Sequence, residues 1–264
     1  MRRENMSEPT TAIVSSVVNF LNCPCTYFAP MIDDQPLVEA YQKAWQESKD
    51  LGGFIPVFVI PSETLLETLV MNSDESNEGE FYDFDSDCVD EYRKAMIEID
   101  SSHGATALGD LINITQEVLA DPGVFEDMIN EQGGTVEPHD RLFTWWDYET
   151  NMTHHLILAK IPVEHAYEIF AYLPMGGWNA CPSNEALIAI SRLWEEKYGA
   201  VPAVVSGDSL EYQLGSPVDE SEAKDLAIKQ YAFCPSLIEE SDGITISSHA
   251  QALTKSTVWY FWWD

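Results

Sequence analysis

The chain is 264 residues long, 45% apolar and 11% aromatic, enough to bury one large core or two small ones. Thirteen basic against 45 acidic side chains leave a formal charge of −32, a surface that repels phosphate backbones and argues against nucleic-acid binding through a basic face. No run approaches the roughly 18 apolar residues of a membrane helix, and five cysteines, an odd number scattered along the chain, do not make a disulfide framework.

Residues 1–10 read as a loose tail. AIVSSVVNFLNCPC follows Arg2 and Arg3, but polar residues interrupt it and no small-residue cleavage site precedes Cys23. It is taken as part of the fold, and the protein as cytoplasmic. LVEAYQKAWQESKDL places Leu37, Tyr41, Ala44, Trp45 and Leu51 on a helical stripe closed by Gly52 and Gly53. FIPVFVI is a short apolar strand whose Pro56 predicts a sheet edge or a bulge, and SETLLETLVM is a further helix.

The composition then changes. Nine of the 18 residues from Asp74 to Glu91 are acidic, which predicts an exposed loop. Within it DFDSD copies the opening of a calcium loop at Asp83, Asp85 and Asp87, but Cys88 replaces the turn glycine and Lys94 the bidentate glutamate, so an EF-hand is excluded. Helices are predicted near 89–100, 106–120 and 123–131, ended by Gly133 and Gly134. Residues 1–140 therefore form a helix-rich N-terminal region with the acidic loop 74–91, and residues 141–264 a C-terminal α+β domain.

In that second part HLILAKIP is a strand and VEHAYEIFAYL a helix. EALIAISRLWEEKYG carries Leu187, Ile190, Trp194 and Tyr198 on one stripe, with Ser183 as N-cap and Gly199 just past its end. VPAVVSGDSLEYQL reads as two strands around a Gly207-Asp208 turn. Asp219 and Glu222 predict a capping box for a helix to about Tyr231, and a short helix near 247–254 precedes the end. The terminal TVWYFWWD alternates Val258, Tyr260, Trp262 and Asp264 on one face with Thr257, Trp259, Phe261 and Trp263 on the other. Both faces are apolar, so neither is expected to meet water. The class is α+β: a mixed β-sheet packed against helices, with the C-terminal strand interior to the sheet.

GGWNACP (176–182), YAFCPS (231–236) and FWWD (261–264), in this order and spacing, resemble the bacterial family described as domain of unknown function 4253, most clearly over 153–264. AWQESKDLGGFIPVFV is similar to the helix-then-strand segment upstream in such proteins. The family is uncharacterised, so the resemblance implies motifs and no reaction. Conflict or immunity roles enter by analogy alone.

The motifs supply the candidate residues: Trp178, Asn179, Cys181, Cys234, Trp262 and Asp264. Cys181-Pro182 and Cys234-Pro235 place each thiol where a helix N-terminus lowers its pKa, or else each is a small buried residue beside a turn. Adjacent glycines at 176 and 177 allow close backbone approach, with Trp178 as a stacking face and Asn179 as donor and acceptor; the same loop is equally a tight structural turn. Asp264 adds a side-chain carboxylate beside the chain's own. No metal or cofactor is expected. Cys23-Pro24-Cys25 is too tightly spaced for a zinc knuckle, and no C-x-x-C, G-x-S-x-G, phosphate-loop or dinucleotide pattern is present. WWD at 145–147 and 262–264 reads as coincidence, because the flanking residues differ. The leading expectation is a non-catalytic binding protein, immunity- or inhibitor-like, whose acidic surface meets a basic protein partner. The alternative is an enzyme with a thiol/carboxylate pocket built from the three motifs.

Overall fold

The computed structural model describes residues 12–240 and 243–263. In chain order the elements are α1 (Ala12–Leu21), β1 (Cys25–Phe28), α2 (Gln35–Leu51), β2 (Ile55–Val59), α3 (Glu63–Ser73), α4 (Ser86–Glu98), α5 (Gly104–Val118) and α6 (Pro122–Asn130). There follow β3 (Trp146–Asp147), β4 (Met152–Thr153), β5 (Leu156–Ile161), α7 (Asn184–Tyr198), β6 (Val201–Val205) and β7 (Ser209–Gln213). The chain closes with α8 (Glu220–Phe233), α9 (Ser236–Glu239), α10 (Ile246–Leu253) and β8 (Val258–Trp262). Six strands make one mixed sheet in the order β1-β5-β2-β6-β7-β8, and β3 and β4 pair separately. The α+β class is therefore as the sequence predicts, and no helix among the described residues is long and apolar enough to cross a membrane.

Two compact units are present, each assembled from three stretches of chain: 1–97, 143–175 and 204–207 in the first, and 98–142, 176–203 and 208–264 in the second. In the first unit β5 pairs antiparallel with β1 and with β2, and β2 pairs parallel with β6. β2 is fully buried, so Pro56 does not mark an edge. It is tolerated because β6 meets β2 only at Phe58 and Val59, leaving Pro56 opposite Lys160 of β5 alone. Ser62 caps α3 by accepting from the Leu65 amide at 3.0 Å. Trp145 is buried edge-on to Phe58, with ring centroids 5.4 Å apart, and its indole donates to Asp34, as does that of Trp146, both at 3.2 Å.

The acidic stretch is more ordered than a solvated loop. Asp74 is buried and accepts from the Ser76 and Asp85 amides at 3.2 and 2.9 Å, which hold its carboxyl below the usual range. Asp85 accepts from the Asp87 amide at 2.8 Å at the start of α4, so the expected loop ends at residue 85 and the remaining acids open a helix. Both carboxylates accept from backbone amides.

The second unit carries the aromatic core. In α7 Ser183 accepts from the Ala186 amide, and Gly199 closes the helix in the left-handed region at φ 65°, both as predicted. Trp194 of α7 lies against Tyr212, Phe233, Trp259 and Phe261, with ring centroids 4.8–5.6 Å apart. α5 reaches α7 closely because Gly104 has no side chain: a Cβ there would lie 2.2 Å from the Ala189 carbonyl oxygen. VEHAYEIFAYL is helical as predicted, in the form of a 3₁₀-helix over Ala166–Ala171. One local expectation fails. Asp219 makes no side-chain cap, and Glu222 pairs at 2.8 Å with Lys197 instead of closing a capping box.

Candidate functional site

β7 and β8 alternate in register, Ser209 facing Trp262, Glu211 facing Tyr260 and Gln213 facing Val258 on one side of the ribbon. On the other side Leu210 and Tyr212 face Phe261 and Trp259, and that side is wholly buried in the aromatic core. Trp263 extends the buried set by donating from its indole to the Phe233 carbonyl at 3.2 Å. The terminal strand is thus part of the sheet, in the last place of its order. The expectation that neither face meets water holds for Trp259, Phe261 and Trp263 and fails for Tyr260 and Trp262, which are half-exposed.

That half-exposed face looks onto a cleft of about 140 Å³ within the second unit, lined in part by Val258, Trp259, Tyr260 and Trp262 of β8 and by His249 and Leu253 of α10. Glu137 and His139 close it from the segment after α6. This segment is fixed to the start of β8, because the His139 carbonyl accepts from the Thr257 and Val258 amides at 2.9 and 3.0 Å while its amide donates to Ser256 Oγ at 3.1 Å. Thr245 and Ser248 cap α10 reciprocally, the hydroxyl of each accepting from the other's amide, and so set the height of His249.

Both histidines are held neutral. Burial lowers His139, partly offset by the nearby Asp140, and burial lowers His249 further, to about 4, with His139 adding to the effect. His249 Nε2 lies 2.8 Å from Gln230 Oε1, a contact in which the Nε2–H tautomer donates to the amide oxygen. A mostly apolar, aromatic-walled hollow with neutral ring nitrogens, serine hydroxyls and one carboxylate suits a ligand that brings its own positive charge or N–H donors.

Of the sequence candidates among the described residues, only Trp262 lines this cleft. Cys234 is buried at the end of α8 and its Sγ donates to the Trp262 carbonyl at 2.9 Å, so it supports the cleft's rear. Burial pushes its thiol up to about 12, and pushes Cys181 up further still. Burial outweighs the activation that the Cys-Pro pattern predicts: the Leu237 and Ser236 amides at the start of α9 do favour the Cys234 thiolate, while the helix after Cys181 begins only at Asn184. The GGWNACP loop is a tight turn: Gly176 N–H donates to Asn184 Oδ1 at 2.8 Å and Gly177 N–H to the Pro182 carbonyl at 2.9 Å. A Cβ on Gly176 would lie 2.1 Å from that carbonyl oxygen. Trp178 is half-exposed and Asn179 exposed, at φ 45°, outside the cleft. Asp264 lies outside the described residues.

His139 and Glu211 are residues that the motif reading passed over. Glu211 is fully buried on the Tyr260 side of the ribbon. The alternation of Ser209, Glu211 and Gln213 with Leu210 and Tyr212 carried that signal, whereas nothing in the sequence brings position 139 to position 249.

Residues 157–264 match the family model described as Domain of unknown function (DUF4253), so the cleft's floor, α10 and all three motifs fall within it. No curated protein and no solved structure matches the chain.

Proposed function

We propose that this chain, with its DUF4253 domain at residues 157–264, is a non-catalytic binding protein that takes a basic side chain of a protein partner into the β8 cleft. The observation that carries this reading is the cleft wall itself. Tyr260 and Trp262 offer half-exposed rings to a cation, His139 and His249 are neutral and do not repel it, and Glu137 stands at the wall. The net charge of −32 would draw such a partner in and raise its encounter rate. All five cysteines are free thiols, in keeping with a reducing, cytoplasmic setting. An immunity- or inhibitor-like role is one form that such binding takes.

The alternative, an enzyme working through Cys181 and Cys234, asks for a reactive thiol at a cleft, and burial and raised thiol pKa values count against it. A tetra-arginine peptide titrated into the intact protein should quench or shift tryptophan fluorescence with saturation. The effect should weaken about tenfold or more between roughly 0.05 and 0.5 M NaCl, since Debye screening shortens from over 10 Å to a few ångströms. Trp262→Ala and Tyr260→Ala should each reduce it. Binding indifferent to salt and to both substitutions would overturn the proposal, as would no binding at low salt. Rapid labelling of Cys181 or Cys234 in the native state would favour the enzyme instead.

A further inference from the structure

In the first unit Cys23 and Cys25 form a pair that the cleft does not use. Pro24 separates them, both thiols are half-buried, and their sulfurs lie 4.0 Å apart. Two metal–sulfur bonds of roughly 2.3 Å in the near-linear arrangement of a two-coordinate ion span about 4.6 Å, so the sulfurs would reach one ion by moving apart by about half an ångström. A structural zinc site needs four ligands, and no group of three or more His, Cys, Asp or Glu side chains suited to a metal occurs among the described residues. Two thiolates do satisfy a soft monovalent d¹⁰ ion, for which thiolate is the preferred ligand.

A second observation stands beside the pair. Arg93 of α4 is 4% exposed, its guanidinium lies over the rings of Phe20 and Tyr172 at 5.3 and 4.4 Å, and two of its nitrogens donate to Asp90 and to the Phe20 carbonyl. Its Nε–H is buried without a hydrogen-bond partner. Arg93 holds the Phe20 carbonyl, three residues before Cys23, so its charge lies at the end of α1 from which the pair follows. A buried guanidinium with a spare donor is the counter-ion that an anionic dithiolate complex requires.

We propose that Cys23 and Cys25 form a two-coordinate site for Cu(I), charge-balanced by Arg93. Loading is a ligand exchange without redox: one Cu(I) displaces the two thiol protons to solvent and forms a bis-thiolate of net charge −1, which Arg93 neutralises. The spacing that rules out a zinc knuckle thus fits an ion that needs only two sulfurs.

The test is an anaerobic titration of the reduced full chain with Cu(I) against a colorimetric Cu(I) chelator. The expected result is one equivalent withheld from the chelator per chain, with near-ultraviolet thiolate-to-copper absorbance. That equivalent should be lost in Cys23→Ser and in Cys25→Ser and kept in Cys88→Ser. A readout that needs no variant is iodoacetamide footprinting, in which Cu(I) should shield Cys23 and Cys25 together while Cys88 stays open. No copper withheld, retention in the Cys23→Ser/Cys25→Ser protein, or shielding of neither thiol would each overturn the assignment. Equal retention of Zn(II) would overturn the two-coordinate site.

Discussion

His249 shows how one half-buried ring ties stability to pH. In the unfolded chain it titrates near 6.5, while in the folded state burial holds it at about 4. Between those values the unfolded state binds more protons, so acidification through this window favours unfolding. The contribution is fully present above pH 6.5 and is lost as pH falls through the folded pKa, with an upper bound of roughly 3 kcal/mol. Relief of carboxylate repulsion acts in the opposite direction over the same range, so the useful quantity is a difference. His249→Gln should lose less stability than the wild type between pH 7 and pH 4.5 in urea unfolding. Equal losses would mean that His249 titrates normally in the folded protein. Gly176 shows the same dependence on surroundings in steric form, since its need for a bare Cα is set by the Pro182 carbonyl across the turn.

The β7–β8 ribbon divides labour between its faces. Leu210, Tyr212, Trp259 and Phe261 are buried against Trp194 and Phe233, whereas Tyr260 and Trp262 turn to the cleft. Truncation on the two faces should therefore separate stability from binding. Phe261→Ala, which empties a fully buried site in contact with Trp194, Phe233 and Trp263, should cost about 3–5 kcal/mol in denaturant unfolding. Trp262→Ala, on the half-exposed face, should cost much less while removing a ring of the proposed binding surface. A small cost at Phe261 would mean that the aromatic cluster collapses around the loss. The acidic segment illustrates element formation in another way: Asp74 and Asp85 bind amides that a turn and a helix start would leave unpaired.

At the scale of the whole molecule, charge is the dominant variable. Forty-five acids against 13 bases repel one another more strongly in the compact state than in the expanded one. The ion pairs Lys197–Glu222 and Lys160–Glu47 involve partly exposed groups and offset little of this. Screening should therefore stabilise the protein: Tm should rise by several degrees between roughly 0.02 and 0.5 M NaCl at pH 7.5, as the Debye length falls from over 20 Å to a few ångströms. A Tm that falls with salt would show that local attractions outweigh the net repulsion. Under the proposed function salt would act in opposite senses on the two properties, firming the fold and weakening capture of a basic partner.

Local signals were legible where the residues that decide them are neighbours in sequence. The α7 boundaries follow from Ser183 and Gly199, and the burial of Trp259 and Phe261 follows from strand parity. The three motifs point to the C-terminal part that matches DUF4253. Whether Pro56 sits at an edge depended on how far β6 runs beside β2, and the fate of Glu222 depended on Lys197 lying within reach. The thiol pKa values needed the environment of each sulfur, because burial outweighs what a Cys-Pro pair suggests. The cleft needed most: positions 137–139, 249 and 258–262 meet only when the chain is folded. Sequence by itself determined the class, the charge and the aromatic strand, since these depend on composition and short-range periodicity. Tertiary structure alone decided which face of that strand is left open, because side-chain exposure is a property of the neighbours that packing brings.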